Sequence, residues 1–289
     1  MFPYLNNKNN SHVFSVTTVG FQSIQPNTTS PLKNHLTDHL FDIKKGRILS
    51  EYQFLYITNG TGVIHFESSN AIPVHAGQIV LIRPNQWHSY WPIKELGWDE
   101  YYIGFCSHAF KNILDDSISI IEDQIINIGL NAELVDLFRR AIEISESETT
   151  FCKEYLQGIT AHIIGLILAK SKSENRINDY SQQIVEKAKI IMSENIFSNL
   201  SPVELALRLE MNYVSFRKLF KEITGFAPAK YLMELKMKKA KELLSKSSST
   251  IKKISGDLGF DSPDSFNKSF KKHTGLTGTE YRLNCRRVQ

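Results

Sequence analysis

Three histidines in the first third of the chain are the residues best suited to bind a metal ion. His65, His75 and His88 lie about ten residues apart, without a His-x-His pair. Imidazoles brought together from neighbouring strands would suit zinc or iron. No set of Ser, His and Asp or of Cys and His resembles an activated nucleophile, although such groups need not be close in sequence. A metal-dependent enzyme is therefore one alternative for this region, and a ligand pocket without a metal is the other.

Aromatic and hydrogen-bonding side chains are dense in the same region. Aromatic rings stack on sugar rings, and His, Tyr, Glu and Arg side chains bond to hydroxyl groups. Strand alternation would turn about half of these side chains outward, where they would be structural only. The sequence therefore predicts a pocket for a small polar molecule, with no cofactor and no metal, formed by Tyr56, His65, Arg83, His88, Trp98 and Tyr102.

The last hundred residues contain an internal repeat. The segment 216–231 matches 266–281 with seven identities at a constant offset of 50 residues. Two copies are too few for a solenoid, which needs about three. The repeat therefore indicates two small units, each with a core of its own.

Capping residues predict two short helices in each unit. Ser201 before a proline, and then Asn212, begin the two helices of the first unit, and Gly225 ends the second helix. Ser262 before a proline and Gly275 play the same parts in the second unit. The first helix is expected to bury one face, formed by Val203, Leu205, Ala206 and Leu209. Two short helices joined by a few residues are typical of a helix-turn-helix.

The outward face of the second helix in each unit is polar and basic. Arg and Asn near the start of such a helix recognise base edges in the major groove, and lysines and the helix N-terminus bind phosphates. The alternative is a solvated basic surface on a helical bundle. We predict DNA contacts at Asn212, Tyr213, Val214, Arg217, Lys218 and Lys221, and at Ser262, Asp264, Ser265, Asn267, Lys268, Lys271 and Lys272.

Charge is divided unevenly along the chain. From Gln182 onward there are 20 Lys and Arg against 11 Asp and Glu, which leaves 14 against 19 before it. A basic half on an acidic half favours a polyanionic partner. The start of the chain lacks the basic and apolar stretches of a signal peptide, and the longest apolar run is too short to span a bilayer, which needs about 20 residues. Three distant cysteines favour free thiols, and we expect a cytoplasmic protein without a membrane partner.

Short β-rich runs predict an antiparallel barrel or sandwich before about residue 110. In one of them, a strand at Gln53–Thr58 and a strand at Val63–Phe66 are predicted to be joined by a turn at Asn59–Gly62. From Asn131 to Lys170 apolar residues recur at helical spacing, which predicts two helices. These helices carry stripes that we expect to pair two subunits, with packing onto the barrel as the alternative. The stripes are Leu134, Leu137, Phe138, Leu156, Ile159, Ile163 and Leu166.

The carboxyl-terminal pattern resembles the AraC/XylS family of transcription regulators. It runs from Ala206 through Phe216-Arg-Lys-Leu-Phe-Lys, Pro228 and Tyr231 to Leu258-Gly-Phe, Phe270-Lys-Lys and Glu-Tyr-Arg282. The resemblance covers about 100 residues. It implies two helix-turn-helix units joined by a long helix at about 229–245, with recognition helices in successive major grooves. Base-reading positions then fall on Val214, Arg217 and Lys218, and on Asp264, Asn267 and Lys268. Ser255, Ser265 and Gly278 depart from the family's usual Ala, aromatic residue and Pro.

The amino-terminal half is similar to the cupin-type effector domain of sugar-responsive members of that family. The similarity is carried by Glu51–His65, His75–His88 and Gly97–Phe105. We therefore expect an α+β chain with a jelly-roll barrel at 1–130, a dimerising helical pair at 131–170, a linker at 171–180 and an all-α DNA-binding domain at 181–289. The expected protein is a homodimeric, non-enzymatic regulator of double-stranded DNA controlled by a small effector, plausibly a carbohydrate or its derivative, with RNA polymerase as a candidate partner. The alternatives are a metal-dependent cupin enzyme fused to a DNA-binding module and a regulator without a functional pocket.

Overall fold

The computed structural model describes residues 14–28, 45–67, 70–107, 124–146, 152–171 and 180–287. The chain divides into two compact units, Met1–Asp179 and Tyr180–Gln289. The first is built on strands with two helices, and the second is helical. This confirms a two-domain α+β chain. In the part of the chain described, no helix is long and apolar enough to cross a membrane.

Antiparallel strands make up most of the first unit. They are β1 Phe14–Ile24, β2 Arg47–Ile48, β3 Tyr52–Phe66, β4 Ile72–His75, β5 Gln78–Ile82, β6 Trp87–Pro92, β7 Trp98–Ser107 and β8 Ile125–Asn127. One sheet has the order β1-β7-β3-β5-β8, and a second contains β2, β6, β3 and β4. The described strands do not close into a ring, so the structure gives a sheet domain without confirming the jelly-roll barrel.

Strand β3 belongs to both sheets. Its first half pairs with β5 and β7, and its second half pairs with β4 and β6. The predicted turn at Asn59–Gly62 is wrong, because the chain continues as one strand through an irregularity between Ile57 and Asn59. Gly60 has φ of 78°, and a Cβ there would lie 2.1 Å from the Gly97 carbonyl oxygen. Glycine at this position is therefore what lets the strand bend from one sheet into the other.

The two faces of the larger sheet bury different residues. Alternation along β3 and β7 puts Tyr56 and Tyr101 on one face, against Phe138, and Leu55, Ile57 and Trp98 on the other. The second face joins apolar residues of the smaller sheet in one core. A layer of side chains is therefore enclosed between the two sheets.

Two helices cover the outer face of the larger sheet: α1 Ala132–Ser145 and α2 Cys152–Ser171. Asn131 caps α1 by accepting a hydrogen bond from the Leu134 N–H. Of the seven residues predicted to pair subunits, five are buried within the single chain and two are half-buried: Leu134, Phe138, Leu156, Ile159 and Ile163, and then Leu137 and Leu166. The buried stripes therefore pack each helix within its own subunit, as the alternative prediction held.

The second unit consists of seven described helices. They are α3 Tyr180–Glu194, α4 Pro202–Arg208, α5 Tyr213–Thr224, α6 Pro228–Lys246, α7 Ile251–Asp257, α8 Pro263–Thr274 and α9 Gly278–Arg287. The predicted caps are confirmed: Ser201, Asn212 and Ser262 accept hydrogen bonds at helix starts, and Gly225 and Gly275 end α5 and α8 in the left-handed conformation.

Each repeat has a core of its own, as predicted. Phe216 and Phe220 lie in the first core, and Phe266 and Phe270 lie in the second. Helix α6 contributes residues to both cores, which ties the two repeats together. One predicted core residue, Val203, is instead 52% exposed, because α4 turns only Leu205 and Ala206 fully inward.

Candidate functional site

Helix α5 presents a basic face beside its N-terminus. Asn212 Oδ1 accepts a hydrogen bond from the Val214 N–H at 2.8 Å and so caps the helix. Arg217, Lys218 and Lys221 are exposed on the turns that follow. Val214, on the first turn, is 74% exposed. Of the predicted contact residues in this unit, only Tyr213 is partly buried, where it packs against the first core.

Helix α8 is capped in the same way but presents a different face. Ser262 Oγ accepts a hydrogen bond from the Ser265 N–H at 3.1 Å. The exposed predicted residues of α8 are an acid and three lysines: Asp264, Lys268, Lys271 and Lys272. Asn267 is half-buried, and its Oδ1 accepts a hydrogen bond from the Gly278 N–H at 3.0 Å. The second unit therefore shows lysines to solvent but keeps the oxygen of its amide side chain inside the fold.

A polar cluster lies between the two sheets of the first unit. Arg47 Nε donates to His88 Nε2 at 3.1 Å, and its Nη2 donates to Gln53 Oε1 and to the Tyr90 hydroxyl. Because Nε2 of His88 accepts, the ring proton is on Nδ1, which lies 3.0 Å from the Gln86 carbonyl oxygen. Burial and the neighbouring Arg47 cation lower the pKa of His88 to about 4. The imidazole is therefore neutral at physiological pH.

Strand β7 adds a carboxyl group and an indole to this cluster. Glu100 is 2% exposed, and burial raises its pKa to about 8 against the opposing effect of Arg47. Burial and the nearby Glu100 also raise the pKa of Tyr102 to about 12. Within the described residues, Glu100 Oε2 and Trp98 Nε1 are buried and have no hydrogen-bond partner. Such groups cost free energy unless something bonds to them, so they mark a place where a polar ligand would be stabilising.

The predicted pocket residues separate into two groups. His88, Trp98 and Tyr102 lie in the layer between the sheets, close to Tyr90 and Glu100. Tyr56 lies on the helix-covered face, where its hydroxyl donates to the Gly129 carbonyl and accepts from the Asn131 N–H.

The other two predicted residues also lie apart from the cluster. His65 pairs across the ladder with Ser89, whereas His88 pairs with Phe66, so the two imidazoles point to opposite faces of the sheet. Arg83 follows β5 in a turn, where its N–H donates to Gln86 Oε1. We leave Tyr56, His65 and Arg83 out of the candidate pocket.

Sequence reasoning missed Arg47 and Glu100. Glu100 was within reach, because it is the alternate residue between Trp98 and Tyr102 on one strand. Arg47 comes from the two-residue strand β2, which carries no periodic pattern. Among the described residues, no three His, Cys, Asp or Glu side chains lie close enough together to hold a metal ion.

Comparison with known proteins agrees with this two-part organisation. Family models for an AraC-like ligand binding domain and for a helix-turn-helix domain match residues 30–160 and 205–284. The chain is 22% identical over 238 residues to the Msm operon regulatory protein of Streptococcus mutans serotype c, covering 81% of this chain and 85% of that protein. It is 24% identical over 232 residues to the lactose operon transcription activator of Staphylococcus xylosus, covering 78% and 81%.

Among solved structures, the chain is similar to a transcriptional regulator with an AraC-type DNA-binding domain from Chromobacterium violaceum. The identity is 30%, the match covers 37% of this chain and 96% of that one, and the TM-score is 0.35. A ligand-binding domain followed by a helix-turn-helix domain defines a DNA-binding transcription regulator. The chain belongs to the AraC family of these regulators.

Proposed function

We propose that the chain regulates transcription in response to a neutral, polyhydroxylated small molecule, a sugar or sugar derivative, bound between the two sheets of the first unit. The observation that carries this proposal is the pair of buried atoms without partners, Trp98 Nε1 and Glu100 Oε2, in the part of the chain described. The indole N–H donates only, and the carboxyl group of Glu100, protonated below its pKa of about 8, both donates and accepts. A hydroxyl group both accepts and donates, so adjacent hydroxyls of one ligand would satisfy both atoms.

The surroundings favour a neutral ligand over an anion. Arg47 already donates hydrogen bonds to His88, Gln53 and Tyr90. Glu100, with its pKa of about 8, is mostly uncharged at neutral pH, so its carboxyl group can exchange hydrogen bonds with a hydroxyl group of a neutral ligand. The rings of Tyr90 and Trp98, with centroids 5.9 Å apart, offer faces for a sugar ring. The lactose operon activator among the relatives supports a sugar as well.

DNA binding by the second unit is proposed to rest on the exposed basic face of each recognition helix. Arg217 and Lys218 lie near the start of α5, within reach of base edges, and Lys221 lies a turn later, nearer to a phosphate. Lys268 and Lys271 take comparable positions on α8. Ligand binding can alter transcription only if the ligand binds one arrangement of the regulator more tightly than another.

Dimerisation is proposed to use the exposed face of α2. Tyr155 is 47% exposed, and Gly158, Ala161 and Gly165 are exposed at helical spacing beside it. A Cβ added at either glycine would meet nothing within 4 Å. Small residues of this kind allow two helices to approach closely, so a second copy of α2 fits here better than on the buried stripes.

Trp98→Phe tests the proposed pocket, because it removes one N–H and keeps an aromatic ring. Titration of the full chain with neutral mono- and oligosaccharides and with sugar phosphates first identifies a sugar that binds tightly. We expect Trp98→Phe to weaken the binding of that sugar about five- to tenfold, as for the loss of one hydrogen bond of about 1 kcal/mol. Trp91→Phe, on the opposite face of β6, should leave binding unchanged. Preference for sugar phosphates, or equal loss in both variants, would contradict the proposal.

A further inference from the structure

Two of the equivalent positions at which the helix-turn-helix units differ are linked by a hydrogen bond in the second unit. At the offset of 50, Arg217 corresponds to Asn267, and Pro228 corresponds to Gly278. Pro228 begins α6 and carries no backbone N–H, and Arg217 is exposed. Gly278 begins α9 and does carry an N–H. The second unit therefore contains a hydrogen-bond donor that the first unit lacks.

Asn267 is the acceptor for that donor. Its Oδ1 lies 3.0 Å from the Gly278 nitrogen. Gly278 is buried, and a Cβ added there would meet Phe266 at 3.0 Å and Ile251 at 3.1 Å. A buried N–H left without an acceptor destabilises a fold by the desolvation of that group. The bond therefore holds the Asn267 side chain toward α9, whereas Arg217 has no such donor to bond at the equivalent position.

The bond removes half of what asparagine needs to recognise adenine. Specific recognition uses both amide atoms, with the oxygen accepting from adenine N6 and the nitrogen donating to N7. Asn267 can still donate, but its oxygen is engaged. The other outward side chains of α8 are Asp264 and the lysines at 268, 271 and 272. Lysines bind phosphates of any sequence, and an acid near them reduces the attraction to the DNA backbone.

We propose that the two units divide DNA recognition between them. The first unit reads bases through the exposed Arg217 and Lys218. The second unit anchors the regulator to phosphates through its lysines, and Asn267 is a positioning residue that joins α8 to α9. This inference rests on the DNA contacts proposed above, and it differs from the expectation that Asp264, Asn267 and Lys268 read bases.

The decisive experiment measures the affinity of the full chain for operator variants substituted at every position of the two stretches of DNA that the regulator protects. The first patch is the stretch under α5, and the second patch is the stretch under α8. A specific bidentate contact is worth about five- to 150-fold between bases. We expect discrimination of that size in the first patch, lost in Arg217→Ala, and less than about threefold in the second patch. Asn267→Ala should leave the second-patch preferences unchanged and lower the melting temperature. Asn267→Asp keeps an oxygen acceptor for the Gly278 N–H, so this variant should have the melting temperature of the wild type.

Gly278→Pro provides the test by gain of function. Proline removes the N–H, as in the first unit, and its ring displaces Asn267 toward solvent. We expect a base preference to appear in the second patch of this variant and to disappear in the Gly278→Pro/Asn267→Ala double variant. The melting temperature of the double variant should equal that of Gly278→Pro alone, because no donor is left to satisfy.

Two results would overturn the division. One is a strong base preference of the wild-type chain in the second patch that Asn267→Ala removes. This result would overturn the division even if the Gly278→Pro variant does not fold. The other is an unchanged salt dependence of binding in the Lys271→Ala/Lys272→Ala variant, since each lost phosphate contact should reduce the salt slope by about 1. If Arg217→Ala and the lysine variants all bind DNA like the wild type, the proposed DNA interface itself is wrong.

Discussion

In the folded chain, the carboxyl group of Glu100 stays protonated up to a much higher pH than that of an exposed glutamate. Its pKa is raised to about 8 by burial, whereas an exposed glutamate titrates near 4.5. Between these values the folded state holds a proton that the unfolded state releases. The contribution of Glu100 to the free energy of unfolding therefore falls as the pH rises from about 4.5 to about 8, and is level on either side of this window.

Glu100→Gln removes this titration and keeps the shape of the side chain. We expect the wild type to lose stability relative to the variant as the pH rises from about 5 to 8, on the order of 4 kcal/mol at about 1.4 kcal/mol per pKa unit. Urea unfolding of both proteins at several pH values measures the difference. Glu67→Gln, at an exposed position, is the control and should show no such trend. A constant difference across the window would show that Glu100 ionises normally.

His88 responds to pH in the opposite direction. Its pKa is lowered to about 4 from 6.5, so the unfolded state binds a proton between these values and the folded state does not. Stability from this residue is present above about pH 6.5 and is lost as the pH falls toward 4. Burial is the main reason for the lowered pKa. The Arg47 donor on Nε2 acts in the same direction, because a protonated imidazole could not accept that hydrogen bond.

Alternation along a strand predicted part of the pocket but could not predict which face would be covered. Trp98 and Tyr102 belong together because they are two residues apart on β7. Tyr56 is a tyrosine like Tyr102 and lies on the neighbouring strand β3, yet its ring packs against Phe138 of α1. Only the packing of α1 and α2 distinguishes these faces. The bend of β3 was not predicted for a related reason, because Gly60 and Gly62 are as compatible with a tight turn as with a bulge inside a continuous strand.

At the scale of elements, helix caps were the most predictable feature. Ser201, Asn212, Gly225, Ser262 and Gly275 each act through neighbouring backbone, so a short stretch of sequence is sufficient to predict them. The role of Asn267 depends on Gly278, eleven residues later and on another helix. A family pattern that has proline at that position carries no information about this hydrogen bond.

Arg217 and Lys221 lie one turn apart on α5 and should have different roles. Arg217→Ala should relax specificity at one base pair by about 1–3 kcal/mol, because a bidentate contact to guanine is lost. Lys221→Ala should weaken all sequences alike and reduce the salt slope. Competition binding against a library of operator variants separates the two effects. Loss of specificity in Lys221→Ala alone would reverse the assignment.

The exposed face of α2 can be tested without disturbing the core. Ala161→Arg places a bulky charge on that face and should produce folded monomers, which sedimentation velocity detects. Lys153→Glu lies on the same helix but on a different exposed face, and this variant should stay dimeric. A dimeric Ala161→Arg protein with an unchanged melting temperature would move the subunit interface away from α2.

On the scale of the whole molecule, the division at Tyr180 suggests that the second unit folds and binds DNA alone. It has two complete cores and its own helix caps. We expect the fragment 180–289 to unfold cooperatively and to bind DNA with an affinity that falls steeply with salt. Six phosphate contacts would cost about a thousandfold between 50 and 200 mM salt. Affinity of the fragment that does not depend on salt would rule out phosphate-based binding.

The repeat in the second unit does not divide into two separable modules. Helix α3 packs in the first core, whereas Ile196, just after it, packs in the second core with Met237 and Leu244 of α6. Cutting the chain after α6 would therefore remove Ile196, Met237 and Leu244 from the second core. Cutting before α6 would remove Ile196 from the second core and Leu232 from the first. Exchange of one recognition unit between related regulators, in the laboratory or in evolution, would have to carry the 195–200 segment and α6 with it. The sequence contains two copies of the repeat, but because α6 packs in both cores, neither copy can be exchanged by itself.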